Sequence, residues 1–122
     1  MSRIIIADDE TMFLTMAEFV LKKEGYEVVR AASGGECLAR YAEQGAQLIV
    51  LDVLMPDMSG FDVLESLRGQ GADVPVLFMT AADDSETLNR AQELGVQCCR
   101  KPFRREELAG AVGALLGKGE RV

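Results

Sequence analysis

The chain has 122 residues, of which 20 are acidic, 13 are basic and none is histidine, for a formal net charge of −7. This length fits one domain, residues 1–122, with a hydrophobic core of its own. The acidic balance argues against direct nucleic-acid binding, because neutralising phosphates requires clustered Lys and Arg. The lack of histidine excludes Ser-His, Cys-His and His-metal arrangements, so any chemistry has to use carboxylates, hydroxyls, thiols or lysine.

The apolar runs are four or five residues long, far short of the roughly 20 that cross a bilayer. The first of them leads directly into an acidic segment, which is not typical of a signal peptide. We therefore expect a soluble, cytoplasmic protein without membrane contact. The three cysteines, Cys37, Cys98 and Cys99, lack Cys-x-x-Cys spacing and are odd in number, so we expect packing roles and neither a disulfide framework nor a zinc site.

Short apolar segments rich in β-forming residues recur along the chain and predict five strands, at residues 3–7, 27–31, 48–51, 74–79 and 96–99. Segments between and after them have apolar residues at helical spacing. These stripes are Phe13, Ala17, Val20 and Leu21 in the first, Cys37, Leu38, Tyr41 and Ala42 in the second, and Leu108, Val112, Leu115 and Leu116 in the last. The alternation of strand and helix is typical of βαβ units.

Helix starts are predicted at Ser33, Ser59 and Asp83, each followed three residues later by an acidic residue, as in a capping box. Helix ends are predicted at glycines that suit a left-handed C-terminal turn. They are Gly25, Gly45, Gly69 or Gly71, and Gly95. Strands that are apolar on both faces belong in a parallel sheet covered by helices on each side, so we predict a doubly wound α/β fold of five strands and five helices.

Polar side chains follow four of the predicted strands, and in a doubly wound sheet ligands bind outside the carboxyl ends of the strands. Asp8 and Asp9 follow the first strand, Asp52 the third, Thr80 the fourth and Lys101 the fifth. Each residue alone has an ordinary structural explanation, such as a helix start or a turn. Together, however, facing carboxylates would repel one another unless a cation were bound, and oxygen ligands without histidine or thiolate suit Mg²⁺.

Phosphoryl transfer fits this set of side chains. A carboxylate can act as the nucleophile and form an aspartyl-phosphate. A lysine ammonium and a hydroxyl donor suit the oxygens of a transferring phosphoryl group. Because the protein contributes mainly positioning and charge stabilisation to such a reaction, a metal, a lysine, a hydroxyl and an attacking oxygen are sufficient.

The segments IIIADDE, LIVLDVLMPDMSG, VLFMTA and KPFRREEL resemble, at these spacings and over nearly the whole chain, the receiver domain of two-component response regulators, the family that includes the chemotaxis regulator. The resemblance implies a flavodoxin-like (βα)5 fold with strand order 2-1-3-4-5. It also implies that Asp52 is the phospho-acceptor. Asp8 and Asp9, with Asp52 and the backbone carbonyl of Leu54, would hold the cofactor Mg²⁺.

Further roles follow from the same resemblance. Thr80 is similar to the hydroxyl residue that moves onto the phosphoryl group, and Lys101 to the lysine that contacts it. The Lys101–Pro102 peptide bond is expected to be cis. Cys98 occupies the switch position where the family usually has Tyr or Phe, so transmission through a ring at that position is not expected in this chain.

The implied function is that of a switch. The phosphoryl group would come from a phosphohistidine on a histidine kinase or histidine phosphotransfer protein, and a downstream output protein or domain would respond. We expect the domain to catalyse its own phosphorylation and dephosphorylation without turning over an external substrate. Alternatives are an aspartyl-nucleophile phosphatase of the haloacid dehalogenase type, a flavin-binding domain of the same fold, and an adaptor that acts without phosphorylation. The phosphatase type would need a second aspartate where Leu54 stands, and the flavin type a phosphate-binding loop in place of the acidic turn after the first strand.

Overall fold

The computed structural model describes residues 2–81 and 85–116. Strands and helices alternate through these residues. The strands are β1 (Arg3–Ala7), β2 (Glu27–Ala31), β3 (Leu48–Asp52), β4 (Val76–Thr80) and β5 (Gln97–Arg100), and the helices are α1 (Thr11–Lys23), α2 (Gly34–Gln44), α3 (Gly60–Gly69), α4 (Ser85–Glu93) and α5 (Arg105–Leu116). In this part of the chain, every helix is too short or too polar to cross a membrane.

The five strands form one parallel sheet in the order β2-β1-β3-β4-β5. The predicted fold class and strand order are therefore confirmed. The register explains where the strand ends meet. Ala7 pairs with Leu51, which places Asp8 beside Asp52 at the carboxyl edge of the sheet. Thr80 pairs with Arg100, so the next residue of the chain, Lys101, emerges at the same edge.

Two hydrophobic clusters cover the two faces of the sheet, because successive side chains of a strand point in opposite directions. Ile4 and Ile6 of β1 pack with α1 and α5, whereas Ile5 and Ala7 pack with α2, α3 and Ala91 of α4. The central strands β3 and β4 are buried along their whole lengths, as expected for strands covered on both faces. This packing fixes the strand ends on which the polar residues are placed.

Several local predictions differ from the structure by one or two residues. β3 and β4 extend to Asp52 and Thr80, and β4 begins at Val76 because Pro75 cannot donate a backbone hydrogen bond. In α1 the buried stripe begins at Leu14, whereas Phe13, with which the predicted stripe began, is only partly buried. At the end of α3 the glycine with positive φ is Gly71, at 83°.

The predicted helix starts are confirmed at two positions. Ser33 accepts a hydrogen bond from the Glu36 backbone N–H, 3.1 Å from its hydroxyl oxygen. Ser59 and Asp62 form a complete capping box at the start of α3. The third predicted start, Asp83, lies outside the described residues.

Candidate functional site

The carboxyl edge of the sheet brings together all five side chains that the strand-end argument selected. Asp8, Asp52 and Thr80 are buried, and Asp9 is exposed. The side chain of Lys101 is only 3% exposed, and its ammonium lies 2.8 Å from Asp8 Oδ2 and 3.6 Å from Asp52 Oδ2. Three acidic side chains and one ammonium therefore share a single site, and Thr80 ends the neighbouring strand at the same edge of the sheet.

The acidic residues of this site fit a hard divalent cation. One carboxylate oxygen from each of Asp8, Asp9 and Asp52 lies within 4.8 Å of the others. Among residues 2–81 and 85–116, no hydrogen bond of good geometry reaches the buried Asp8 Oδ2, whose close contact is the Lys101 ammonium. An oxygen-only ligand set with an incompletely satisfied buried carboxylate suits Mg²⁺, which uses few carboxylates and keeps several waters.

Leu54, predicted as a backbone ligand, lies two residues beyond Asp52 at the mouth of the site. Its backbone N–H donates to Asp52 Oδ1 at 3.4 Å, and its side chain is 65% exposed. The role of its carbonyl in metal binding stays a prediction.

Lys101 has two further neighbours that the sequence patterns did not assign to the site. Its ammonium lies 3.1 Å from Glu10 Oε1 and 4.2 Å from the centre of the Phe13 ring. The ring face is attractive to a cation. Glu10 is exposed, so the lysine is held between buried Asp8 on one side and the surface carboxylate and ring on the other.

The electrostatics of the site favour a proton on Asp52 and on Lys101. Burial and the nearby Asp8 raise the pKa of Asp52 from 3.8 to about 6, although the Lys101 charge and the Leu54 N–H act in the opposite direction. Burial acts to lower the pKa of Lys101, but the close ion pair with Asp8 and the negative charge of Asp52 outweigh it, so this pKa is raised. The lysine is therefore charged at neutral pH, and the Asp52 carboxyl is mostly ionised above about pH 6.

Backbone contacts fix Thr80 and Lys101 relative to each other. The Thr80 carbonyl accepts a hydrogen bond of 2.8 Å from the Lys101 N–H. The Lys101–Pro102 peptide bond is cis. Thr80 is completely buried at the end of β4, and its backbone is joined directly to that of Lys101 at the carboxyl edge of the sheet.

A glycine closes the loop that follows Asp52. The Gly60 N–H donates to the Val53 carbonyl at 2.8 Å. A Cβ atom at Gly60 would lie 2.8 Å from the Asp52 carbonyl oxygen and 3.2 Å from the Phe78 ring. Only glycine permits so close an approach, and the start of α3 is thereby fixed against the end of β3.

The cysteines pack within the fold, as predicted. Cys37 and Cys99 are buried, Cys98 is partly buried, and the structure shows all three as free thiols. Cys98 pairs with Phe78 across β4 and β5 and faces the cluster that includes α3 and α4. Burial raises its pKa. Cys98, the predicted switch position, therefore holds a small side chain with a protonated thiol.

Comparison with known proteins identifies the family. A sequence profile of the response regulator receiver domain matches residues 4–113. The chain belongs to this family. The receiver-domain prediction is thus confirmed, and family membership favours it over the phosphatase and flavin-binding alternatives. Receiver domains are signalling domains and not enzymes that turn over a substrate.

Two relatives of known name are longer proteins. The chain is 34% identical over 119 residues to the alkaline phosphatase synthesis transcriptional regulatory protein PhoP of Bacillus subtilis, covering 97% of this chain and 50% of PhoP. It is 34% identical over 120 residues to the sensory transduction protein RegX3 of Mycolicibacterium smegmatis, covering 98% of this chain and 52% of RegX3. The receiver domain described here therefore spans about half the length of these relatives.

Solved structures agree with the fold. The chemotaxis protein CheY4 of Vibrio cholerae has a TM-score of 0.87 and 30% identity, with 95% of this chain and 99% of that one covered. The response regulator TrrA of Thermotoga maritima, solved in complex with Mg²⁺ and BeF, has a TM-score of 0.85 and 29% identity, with 95% and 100% covered. The likeness therefore extends over almost the whole receiver domain.

Proposed function

We propose that Asp52 accepts a phosphoryl group from a phosphohistidine, carried by a histidine kinase or a histidine phosphotransfer protein, in a Mg²⁺-dependent reaction. Phosphorylation then switches the binding of a downstream output protein or domain. The observation that carries this proposal is the convergence of Asp8, Asp9, Asp52 and Lys101 at one edge of the sheet. We also propose that residues 1–122 form one such domain.

The reaction requires an ionised Asp52. Its carboxylate oxygen attacks the phosphorus, a P–O bond forms, the P–N bond to the donor histidine breaks, and the imidazole leaves with the electron pair. With a pKa of about 6, Asp52 is mostly ionised at neutral pH. Asp8, Asp9 and the Leu54 carbonyl, with Asp52, are the residues that would hold Mg²⁺. When bound, Mg²⁺ supplies positive charge that offsets the charge of the phosphoryl oxygens.

Lys101 and Thr80 supply the other stabilising groups. The Lys101 ammonium already lies 3.6 Å from Asp52 Oδ2, so a phosphoryl group on Asp52 would place its oxygens within reach of the same cation. The Thr80 hydroxyl can donate to another phosphoryl oxygen. Phosphorylation replaces the single negative charge of the Asp52 carboxylate by a phosphoryl group that carries close to two, and these contacts bias a two-state equilibrium that a partner reads.

An apolar surface of α1 beside the site suits the phosphoryl donor. Met12, Met16 and Phe19, here called the α1 patch, are exposed at 84%, 37% and 55% and share one helix face. Phe13, whose ring contacts the Lys101 ammonium, links this patch to the site. A cavity of about 220 Å³ at this place is lined by Met12, Phe13, Met16, Pro102 and Phe103. A donor that reaches Asp52 can cover this surface.

The decisive test of the acceptor is phosphorylation by a small acyl phosphate with Mg²⁺, followed by intact mass measurement. We expect the wild type to gain one phosphoryl group and Asp52→Ala to gain none, with Asp73→Ala, an exposed carboxylate away from the site, behaving like the wild type. Equal phosphorylation of the wild type and Asp52→Ala refutes the assignment. Binding of an output partner by the unphosphorylated chain alone would support the adaptor alternative.

The α1 patch is tested with a histidine kinase that phosphorylates the wild-type chain. Met16→Ser is expected to slow transfer from the kinase on the order of tenfold, the loss typical of a central interface residue. Phosphorylation by a small acyl phosphate should not change, because Met16 does not touch the acidic site. Leu94→Ser is the matched control, since Leu94 is also a half-exposed apolar residue but follows α4. An equal loss for both variants, or none for Met16→Ser, contradicts the docking proposal.

A further inference from the structure

The loop between β3 and α3, residues 53–59, is held at its base beside the acidic site. There, the Gly60 N–H donates to the Val53 carbonyl, and Asp52 ends the strand immediately before the loop. Leu54, whose carbonyl is the proposed Mg²⁺ ligand, follows Val53 directly. Its position therefore depends on what holds the rest of the loop.

The part of this loop farther from Asp52 is held at the start of the helix α2. Asp57 Oδ1 accepts a hydrogen bond of 3.0 Å from the Gly34 N–H, and Asp57 Oδ2 accepts one of 2.8 Å from the Gly35 N–H. Gly34 and Gly35 begin α2, where backbone N–H groups lack partners within the helix. These two hydrogen bonds lower the pKa of Asp57, so its carboxylate is charged at neutral pH and complements the positive end of the helix dipole.

Side-chain packing supports the same contact independently. Met58 lies directly over Gly34, so that a Cβ atom at Gly34 would overlap the Met58 side chain. Met58 is also packed against the cluster that includes α2 and α3. The loop therefore meets the start of α2 through one carboxylate and one buried contact.

We propose that Asp57 is a positioning residue for the magnesium site: by binding the first two N–H groups of α2, it holds the loop so that the Leu54 carbonyl stays in place for the metal. This inference rests on the proposed function. Leu54 lies between the two anchors, the base at Val53 and Gly60 and the far end at Asp57. A loop that is ordered before the metal binds does not lose conformational freedom on binding, which favours affinity.

The test compares Asp57→Ala and Asp57→Asn with Ser33→Ala. Ser33→Ala removes the side-chain cap of the same helix end without touching the loop. Two quantities are measured for each variant: the Mg²⁺ concentration for half-maximal phosphorylation by a small acyl phosphate, and the rise in Tm that Mg²⁺ produces in the unphosphorylated chain. The second does not depend on activity, because a ligand that binds the folded state stabilises it.

We expect Asp57→Ala to raise the half-saturating Mg²⁺ concentration on the order of tenfold, as for other residues that orient metal ligands. Asp57→Asn, which keeps one acceptor oxygen, should have a smaller effect. The half-saturating concentration of the acyl phosphate should not change. Ser33→Ala should lower Tm equally with and without Mg²⁺ and leave half-saturation unchanged.

Two results overturn the inference in distinguishable ways. If the wild type is phosphorylated at Asp52 with Mg²⁺ but Asp57→Ala shows the same Mg²⁺ half-saturation and the same Mg²⁺-induced rise in Tm, Asp57 is not a positioning residue and the proposed function stands. If the wild type shows neither phosphorylation at Asp52 nor a rise in Tm with Mg²⁺, both the inference and the proposed function fall.

Discussion

Two helices on the same face of the sheet, α3 and α4, are anchored very differently. The helix α3 buries Gly60, Phe61, Val63, Leu64 and Leu67, and it starts in a complete capping box at the end of the loop that follows Asp52. Of the described residues of α4, one, Ala91, is buried. The strand ending in the proposed acceptor is thus braced by a firmly packed helix, whereas the helix following Thr80 rests on the sheet with little apolar area.

This difference indicates where the domain can respond to phosphorylation. Regions with few buried apolar contacts open at lower free energy than the core. Val96 and Cys98 of the adjoining segment are partly buried, and Leu94 is half exposed. A groove of about 530 Å³ lies between α3 and the segment of residues 90–96, at whose near end Arg90 lies over the Phe61 ring. We therefore propose that a rearrangement starting at Thr80 or Lys101 meets little resistance in α4 and does not need an aromatic ring at Cys98.

The largest expected effect is a difference in how much a leucine contributes to stability in α3 and next to α4. Leu67→Ala in α3 should lower the free energy of unfolding by about 2–5 kcal/mol, because it leaves a cavity in the core. Leu94→Ala, at the end of α4, should change it by less than about 0.5 kcal/mol, as for most surface substitutions. Urea unfolding measures both. Similar losses for the two variants would contradict the contrast between the helices.

The second prediction concerns the charge of Asp52, at the end of the strand that precedes the firmly packed helix α3. Because the pKa of Asp52 is about 6 in the folded state and 3.8 is its ordinary value, the folded state binds this proton more tightly than the unfolded chain does. The ionised form therefore destabilises the fold, by an amount that grows from about pH 4 to about pH 6 and is complete above it. With a chelator present at pH 7.5, Asp52→Asn should raise the free energy of unfolding by roughly 1–3 kcal/mol.

The pH dependence is the control for this effect. Near pH 4 the stabilisation by Asp52→Asn should largely vanish, since the carboxyl is then protonated in the folded state and close to half protonated in the unfolded state. Asp73→Asn, an exposed residue, should leave stability nearly unchanged at both pH values. A stabilisation by Asp52→Asn that is equal at both pH values would show that a cause other than the buried charge is responsible.

The sequence was sufficient to predict the fold and the strand-end residues, for a physical reason. Alternation of buried strands and amphipathic helices leaves few possible topologies, and parallel strands bring their carboxyl ends to one edge. Asp8, Asp52, Thr80 and Lys101 could therefore be grouped without knowing any distance. The strand limits were less predictable, because pairing partners, and not apolar content, decide that β4 ends at Thr80.

Contacts between distant elements were not predictable. Glu10 and Phe13 meet Lys101 from 91 and 88 residues away in the chain. Phe13 fits a helical apolar stripe, so its spacing suggests core packing and conceals the contact with a cation. Asp57 follows a proline and is typical of a turn, yet its carboxylate binds α2, 22 and 23 residues away. Such contacts depend on how helices and loops pack, which spacing along one element does not specify.

The smallest expected effect concerns Cys98 and directly tests the weakly packed region around α4 and β5. Burial raises the pKa of this thiol, and raises that of the buried Cys37 to about 12. Since the thiolate is the reactive form, both should react slowly with a maleimide at neutral pH. If α4 loosens on phosphorylation, Cys98 should react faster in the phosphorylated chain while Cys37 does not, and Cys98→Ser identifies the labelled site by mass. Equal labelling rates in the two states would mean that the region around α4 and β5 does not open, and the response would then have to travel by another element.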